Sequence, residues 1–305
     1  MSFLSKLKWM DTSIVPTLIA LLFFLVTLII GSFTDLALSQ AIVNQESVFG
    51  KFFETYALMI PFCLIPGVGV IFFKVFFPKD KVIFKVLGVT ILAFTIVAGT
   101  ILAHHYIGPD EEWYGYRLHD PWGYIVGAII MIVFAVIFFL IIKSDNPSLM
   151  IRTALVILLA MLIQWGLIEV IKRFNGRPRY RFLIDESLNT KGEVFRQWWE
   201  FKPGTAIDDA HKSWPSGHSA TAVQTLLFPL LFPLLRKQNN IIKTILYVAG
   251  PVYILLMIFA RILVGAHFLS DVSTGCILGI GVVLLVWFLG HKLFRKKEST
   301  PVQQE

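Results

Sequence analysis

Charge is scarce in this sequence. Asp, Glu, Lys and Arg make up 15% of its 305 residues, against about 25% in ordinary soluble domains. With 56% hydrophobic residues and a mean hydropathy of +0.72, that scarcity excludes a typical water-soluble domain. Cysteine is scarcer still: Cys63 and Cys276 are the only two, far apart and each inside an apolar run. They offer no disulfide framework and no zinc or iron–sulfur ligand cluster, and read as small packing residues. The formal net charge of +7 is modest. In a chain this apolar it speaks first to membrane topology and second to an anionic substrate, and no nucleic-acid partner is expected.

What the sequence has is long hydrophobic runs. A helix needs about 20 consecutive, mostly apolar residues to cross a bilayer. Eight spans are read, near 14–34, 56–77, 82–104, 123–143, 149–172, 219–236, 243–262 and 272–291. The expected fold class is therefore all-α, a polytopic transmembrane helical bundle of about eight spans. The sixth, "TAVQTLLFPLLFPLLR", is short and carries Pro229 and Pro233, which a span tolerates at the cost of a bend. The basic N-terminus "MSFLSKLKWMD" leads into an apolar stretch longer than a cleaved leader's, so span 1 is read as retained.

Short-loop charges set the expected orientation. Lys6 and Lys8, "FPKDKVIFK", "KSDNPSLMIR", "RKQNNIIK" and "HKLFRKKEST" all fall on one side of an eight-span topology, which is then cytoplasmic and holds both termini. The other side holds 35–55, 105–122, 173–218 and 263–271, with Tyr106, Trp113, Tyr114, Tyr116, Trp122, Trp198, Trp199 and Trp214 as headgroup-level aromatics. One segment defies the charge rule: "KRFNGRPRYR" (172–181) is strongly basic yet lies on this outer side. A bound anion would explain it.

Three outer-side stretches carry candidate chemistry. Lys172, Arg173, Arg177, Arg179 and Arg181 follow span 5. Arg forks with a Lys point charge suit a phosphate, and snorkelling to headgroups is the plainer reading. In "SWPSGHSATA", Ser216 is a good N-cap for span 6, Gly217 lets an anion approach the backbone, and the helix N-terminus offers free N–H groups. An interfacial cap with an idle His218 fits equally. In "ARILVGAHFLSD", His267 and Asp271 stand four apart, so on a helix they share a face beside Arg261. A carboxylate there would fix the imidazole tautomer and leave its other nitrogen as nucleophile or base. A buried polar bridge is the alternative.

Together these stretches resemble the signature of the type 2 phosphatidic acid phosphatase (PAP2) superfamily: Lys, six residues, Arg-Pro; Pro-Ser-Gly-His; and Ser-Arg, five residues, His, three residues, Asp. "KRFNGRPRY" supplies Lys172 and Arg179, "PSGH" spans Pro215 to His218, and "ARILVGAHFLSD" supplies Arg261, His267 and Asp271. Tyr180 stands where the family has Pro and Ala260 where it has Ser, and neither change removes a charged or titrating group. An alternative register through Arg177-Pro178 breaks the spacing from Lys172, which leaves Arg177 as a second phosphate or headgroup contact.

The resemblance implies a division into an N-terminal region with two extra spans (1–80), a six-span phosphatase core (81–293) and a basic cytoplasmic tail (294–305). It implies His267 as nucleophile forming a phosphohistidine, Asp271 orienting its ring, and His218 protonating the leaving oxygen and then activating water. Lys172, Arg179, Arg261, Ser216 and Gly217 would hold the phosphate oxygens, with no metal and no cofactor. The expected substrate is a phospholipid or polyprenyl phosphate or pyrophosphate, its tail kept among membrane lipids. The loop 182–213 would be a lid or headgroup selector, or a surface loop resting on headgroups. A bacterial plasma membrane is the expected setting, with the site facing outside. Transfer of the phosphoryl group to a lipid or sugar acceptor is the competing enzymatic reading. A non-catalytic lipid-binding or transport protein is the third, and the intact charged set argues against it.

Overall fold

The boundaries of the fifth span follow from local chemistry. Asn146 caps it through Oδ1, which accepts from Leu149 N at 3.0 Å, Pro147 takes the first helical position where no amide donor is needed, and Gly176 ends it at φ 64°. The computed structural model describes residues 14–108, 116–190, 192–205 and 208–295. Lys6, Lys8, Trp113, Tyr114 and the basic segment from Lys296 onward lie outside the described residues.

Helices α1 (Ile14–Ile42), α2 (Val48–Thr55), α3 (Met59–Phe62), α4 (Leu64–Phe76), α5 (Val82–Ile107) and α6 (Trp122–Ile141) make up the first half. Helices α7 (Pro147–Asn175), α8 (Tyr180–Leu183), α9 (Gly217–Val223), α10 (Asn240–Leu263) and α11 (Leu269–Arg295) follow, with a 3₁₀ helix at Gln224–Leu234 between α9 and α10. Among the described residues, seven helical segments are long and apolar enough to cross a membrane. Their outward faces carry exposed Ile19, Phe33, Phe94, Ile129 and Trp165. Water would not tolerate so wide an apolar surface, and lipid does. The chain is a polytopic helical bundle.

The remaining expected span, 219–236, takes a different form. Pro229 and Pro233 remove two amide donors, and the segment continues α9 as a 3₁₀ helix. At about 1.5 Å per α residue and 2.0 Å per 3₁₀ residue, residues 217–234 extend roughly 32 Å, enough to cross the hydrocarbon layer. The far end confirms it: Lys143 N donates to Leu234 O at 2.8 Å and Arg236 N to Ile141 O at 2.7 Å, pinning the segment to the end of α6 opposite its start.

The first two spans also differ from expectation. Span 1 continues to Ile42, and span 2 begins at Val48 and is broken into α2, α3 and α4. Asp35 and Glu54, expected in an outer loop, therefore lie within helices at the site end. Helix α1 packs on α11, α2 on α10, and α4 among α5, α6 and α7. Val48–Phe76 is the most buried of the seven segments.

Small residues let α11 approach α9. A Cβ on Gly279 would sit 2.9 Å from Val223 Cβ and 3.0 Å from Ala220 O, and one on Gly275 would collide with Ser216 O. The Gly275-x-x-x-Gly279 spacing is one that brings membrane helices together. Gly281, two residues on, has open space around its missing Cβ. Gly275→Val should push Ser216 off α11, costing about 1–3 kcal/mol or more. Gly281→Ala should be neutral or stabilising by up to about 1 kcal/mol. Thermal unfolding of the two variants in detergent checks the contrast, and equal effects would contradict the close α9–α11 contact.

Candidate active site

The basic stretch acquires its shape from Gly176. Its left-handed φ turns the chain sharply at the end of α7, and a Cβ there would collide with Thr205 Oγ1. Lys172 stays on the last helical turn, while the chain beyond crosses the end of the bundle. Ser213 N donates to Arg177 O at 3.1 Å, Arg179 N to Ala210 O at 2.8 Å, and Arg181 N to Gly265 O at 2.9 Å. Arg177, Arg179 and Arg181, the last already within α8, are all buried.

Arg177 is not a headgroup contact. It is fully buried and divides its guanidinium among fixed partners. Nη1 donates to Asp271 Oδ1 at 2.6 Å and Ser270 Oγ at 2.8 Å, Nη2 to Asp35 Oδ2 at 2.9 Å, and Nε to Arg196 O at 2.8 Å. The ring of Phe268 lies 4.2 Å from its central carbon. Asp35 also accepts from Ser270 N at 2.9 Å and from the Ser270 hydroxyl.

Arg179 donates from Nε to Asp209 O at 2.8 Å and from Nη2 to Asp209 Oδ1 at 2.7 Å. Burial opposes the Asp209 charge, but Arg179, Lys172, Arg181 and Arg261 outweigh it and hold the carboxyl below its ordinary range. Arg181 and Arg261 share one carboxylate oxygen, Glu54 Oε1, at 2.7 and 3.2 Å. Lys172 Nζ would lie 3.1 Å from a Cβ on Gly217, so only glycine lets the ammonium approach this turn so closely. Ser216 caps α9, its Oγ accepting from Ser219 N at 3.3 Å, and its own N donates to Asp271 O at 3.0 Å. The ring of His218 meets Tyr106 edge-on at 5.2 Å.

His267 lies in the turn between α10 and α11. Its Nδ1 contacts Ser213 O at 2.7 Å. A carbonyl oxygen only accepts, so Nδ1 carries the proton and Nε2 keeps its lone pair. The ring contact expected from Asp271 is thus made by Ser213. Asp271 acts through it: Oδ2 accepts from Ser213 Oγ at 2.6 Å and from Phe268 N at 2.8 Å. Helix α11 begins only at Leu269, so the i,i+4 helical geometry assumed for the His267–Asp271 pair does not exist. Burial, then the charges of Arg179, Arg261, Lys172 and His218, hold the His267 imidazole well below the ordinary histidine range. Those charges come from all three of the motif-bearing stretches.

Residues 153–295 match the family model of the PAP2 superfamily. This segment belongs to the PAP2 superfamily. No curated protein and no solved structure matches the chain significantly. All eight site residues expected from the sequence (Lys172, Arg179, Ser216, Gly217, His218, Arg261, His267 and Asp271) fall within the PAP2 segment and gather at one end of the bundle. Sequence reasoning missed Asp35 and Glu54, which lie outside the PAP2 segment, and Ser213 and Asp209 within the loop. For the first two, the available signal was an ionisable residue next to a long apolar run.

The loop 182–213 is fastened over this end. Trp198 Nε1 donates to Ser32 Oγ at 2.9 Å, Asn175 Nδ2 to Trp198 O at 2.7 Å, and Arg196 to Gly176 O. Trp198 stacks on Trp214 with ring centres 5.8 Å apart.

A depressed pKa keeps His267 neutral as pH falls below the ordinary histidine value near 6.5. Nitrogen NMR of labelled protein should show the neutral Nδ1–H tautomer at pH 6. Arg179→Gln removes one of the opposing charges and should raise the titration midpoint. A ring already protonated at pH 6.5, or unmoved by Arg179→Gln, would contradict this electrostatic account.

Proposed function

We propose that the chain is a membrane phosphatase that hydrolyses a lipid phosphate or pyrophosphate monoester, with His267 as its nucleophile. The observation that carries the reading is the Nδ1–H bond to Ser213 O, which reserves Nε2 for attack among Lys172, Arg179 and Arg261. PAP2 membership supports hydrolysis of a phosphate ester in general.

In the first step Nε2 of His267 attacks phosphorus and the bond to the leaving oxygen breaks. His218, protonated when substrate is bound, gives its proton to that oxygen. In the second step water attacks phosphorus, the P–N bond breaks, and the water's proton passes to His218. Inorganic phosphate leaves and both histidines return to their starting forms. Positioned acid–base help of this kind is typically worth about 10²–10⁴-fold. The larger contribution is electrostatic: Lys172, Arg179 and Arg261 stabilise charge building on the equatorial oxygens. Asp271 contributes at a distance by fixing Ser213, whose carbonyl holds the ring, and the backbone of Phe268 next to it in the chain.

A lipid substrate suits a site at the end of a bundle whose flanks are apolar. The linkers bearing Lys79, Lys81, Lys143, Arg236 and Lys237 lie at the opposite end from His267. By the positive-inside rule the catalytic end faces away from the cytoplasm.

Purified protein should release inorganic phosphate in EDTA from at least one of phosphatidic acid, phosphatidylglycerol phosphate, undecaprenyl pyrophosphate and glucose 6-phosphate. His267→Ala should abolish the release. Turnover that survives His267→Ala, or that strictly requires Mg²⁺, would overturn the reading.

A further inference from the structure

Glu54 belongs to α2, far outside the segment that matches the PAP2 family, yet it reaches the centre of the site. It is fully buried, and its Oε1 lies 2.7 Å from Arg181 and 3.2 Å from Arg261. Its main chain also hydrogen-bonds the His218 ring. Gly50, one turn earlier on α2, has no room for a side chain: a Cβ there would collide with Val264. The start of α2 is thus wedged against the turn that carries His267, and Glu54, one turn on, is fully buried.

We infer that Glu54 is a specificity-determining residue that limits the charge of the phosphate group the site accepts. Lys172, Arg179, Arg181 and Arg261 gather in one region with Lys212 beside Lys172, and three carboxylates face these five cations: Glu54, Asp209 and Glu169. That balance leaves two positive charges, which match a phosphate monoester dianion. Asp209 is partly exposed on the loop, with 27% of its side chain accessible, whereas Glu54 has none. Glu54 is therefore the fixed part of the balance. In a desolvated site an anion with more negative charge than the cations can neutralise is heavily penalised. A pyrophosphate buried whole would exceed the balance, and a monophosphate would meet it. Glu54 acts through Arg181 and Arg261, so the effect is on anion preference.

The inference rests on the proposed phosphate site, and binding separates the two. Calorimetry on the full-length protein in detergent would compare inorganic phosphate with inorganic pyrophosphate. Glu54→Gln should shift the affinity ratio towards pyrophosphate by on the order of tenfold or more, the effect of one unit charge acting over several Å at an effective dielectric near 20. Glu54→Asp should keep the ratio. Arg181→Gln should move it towards phosphate, and the Glu54→Gln/Arg181→Gln double variant should return it. A merely structural role would weaken both anions together. A ratio unchanged in Glu54→Gln would overturn the inference. If that variant does not fold, a ratio unchanged in Arg181→Gln overturns it instead. Failure of the phosphatase reading would appear separately, as no His267-dependent hydrolysis with the ratio shift intact.

Discussion

The site end of this bundle is organised around one buried guanidinium. Arg177 holds Asp35 of α1 and Asp271 of α11, and takes the Arg196 carbonyl from the loop above. Taking these charges from water is costly, and such pairs add little net stability over well-packed apolar side chains. What they provide is register. A guanidinium with two carboxylates and a carbonyl in fixed directions admits one arrangement of three distant chain segments, and breaking such a pair costs about 3–5 kcal/mol. The consequence reaches the chemistry: Arg177 fixes Asp271, Asp271 fixes the Ser213 hydroxyl, and the Ser213 carbonyl fixes the His267 tautomer.

Around this centre the site distributes its carboxylates by function. Asp35 and Asp271 serve Arg177, which in the proposed reading does not hold the substrate. Glu54 and Asp209 serve the arginines that do. The N-terminal helices are therefore not an appendage beside the PAP2 segment. Helix α1 supplies half of the Arg177 clamp, and α2 supplies a residue that touches both Arg261 and His218. A charge inside a membrane protein persists where a partner meets it, and each of these carboxylates has one.

The apolar runs made the bundle legible in the sequence, and the three spaced motifs made the site legible. What escaped was non-local. Asp35 and Glu54 were expected in an outer loop between the first two spans, whereas the partners that hold them within helices lie more than 120 residues away in sequence. The partner of the His267 ring was misjudged because four-residue spacing implies contact only within a helix, and α11 starts two residues later. Pro229 and Pro233 announced a bend in the sixth span, but a continuous 3₁₀ helix depends on the tertiary ties that hold Leu234 and Arg236 to the end of α6.

The central claim is that Lys172, Arg179, Arg261 and the Gly217 backbone hold one phosphate in front of His267. The most direct measurement is an experimental structure of the full chain with inorganic phosphate bound. The account predicts an anion within hydrogen-bond reach of Lys172, Arg179 and Arg261, with His267 Nε2 facing phosphorus and Nδ1 still on Ser213 O. Phosphate bound away from these cations, or a His267 ring turned so that Nε2 meets Ser213, would contradict it.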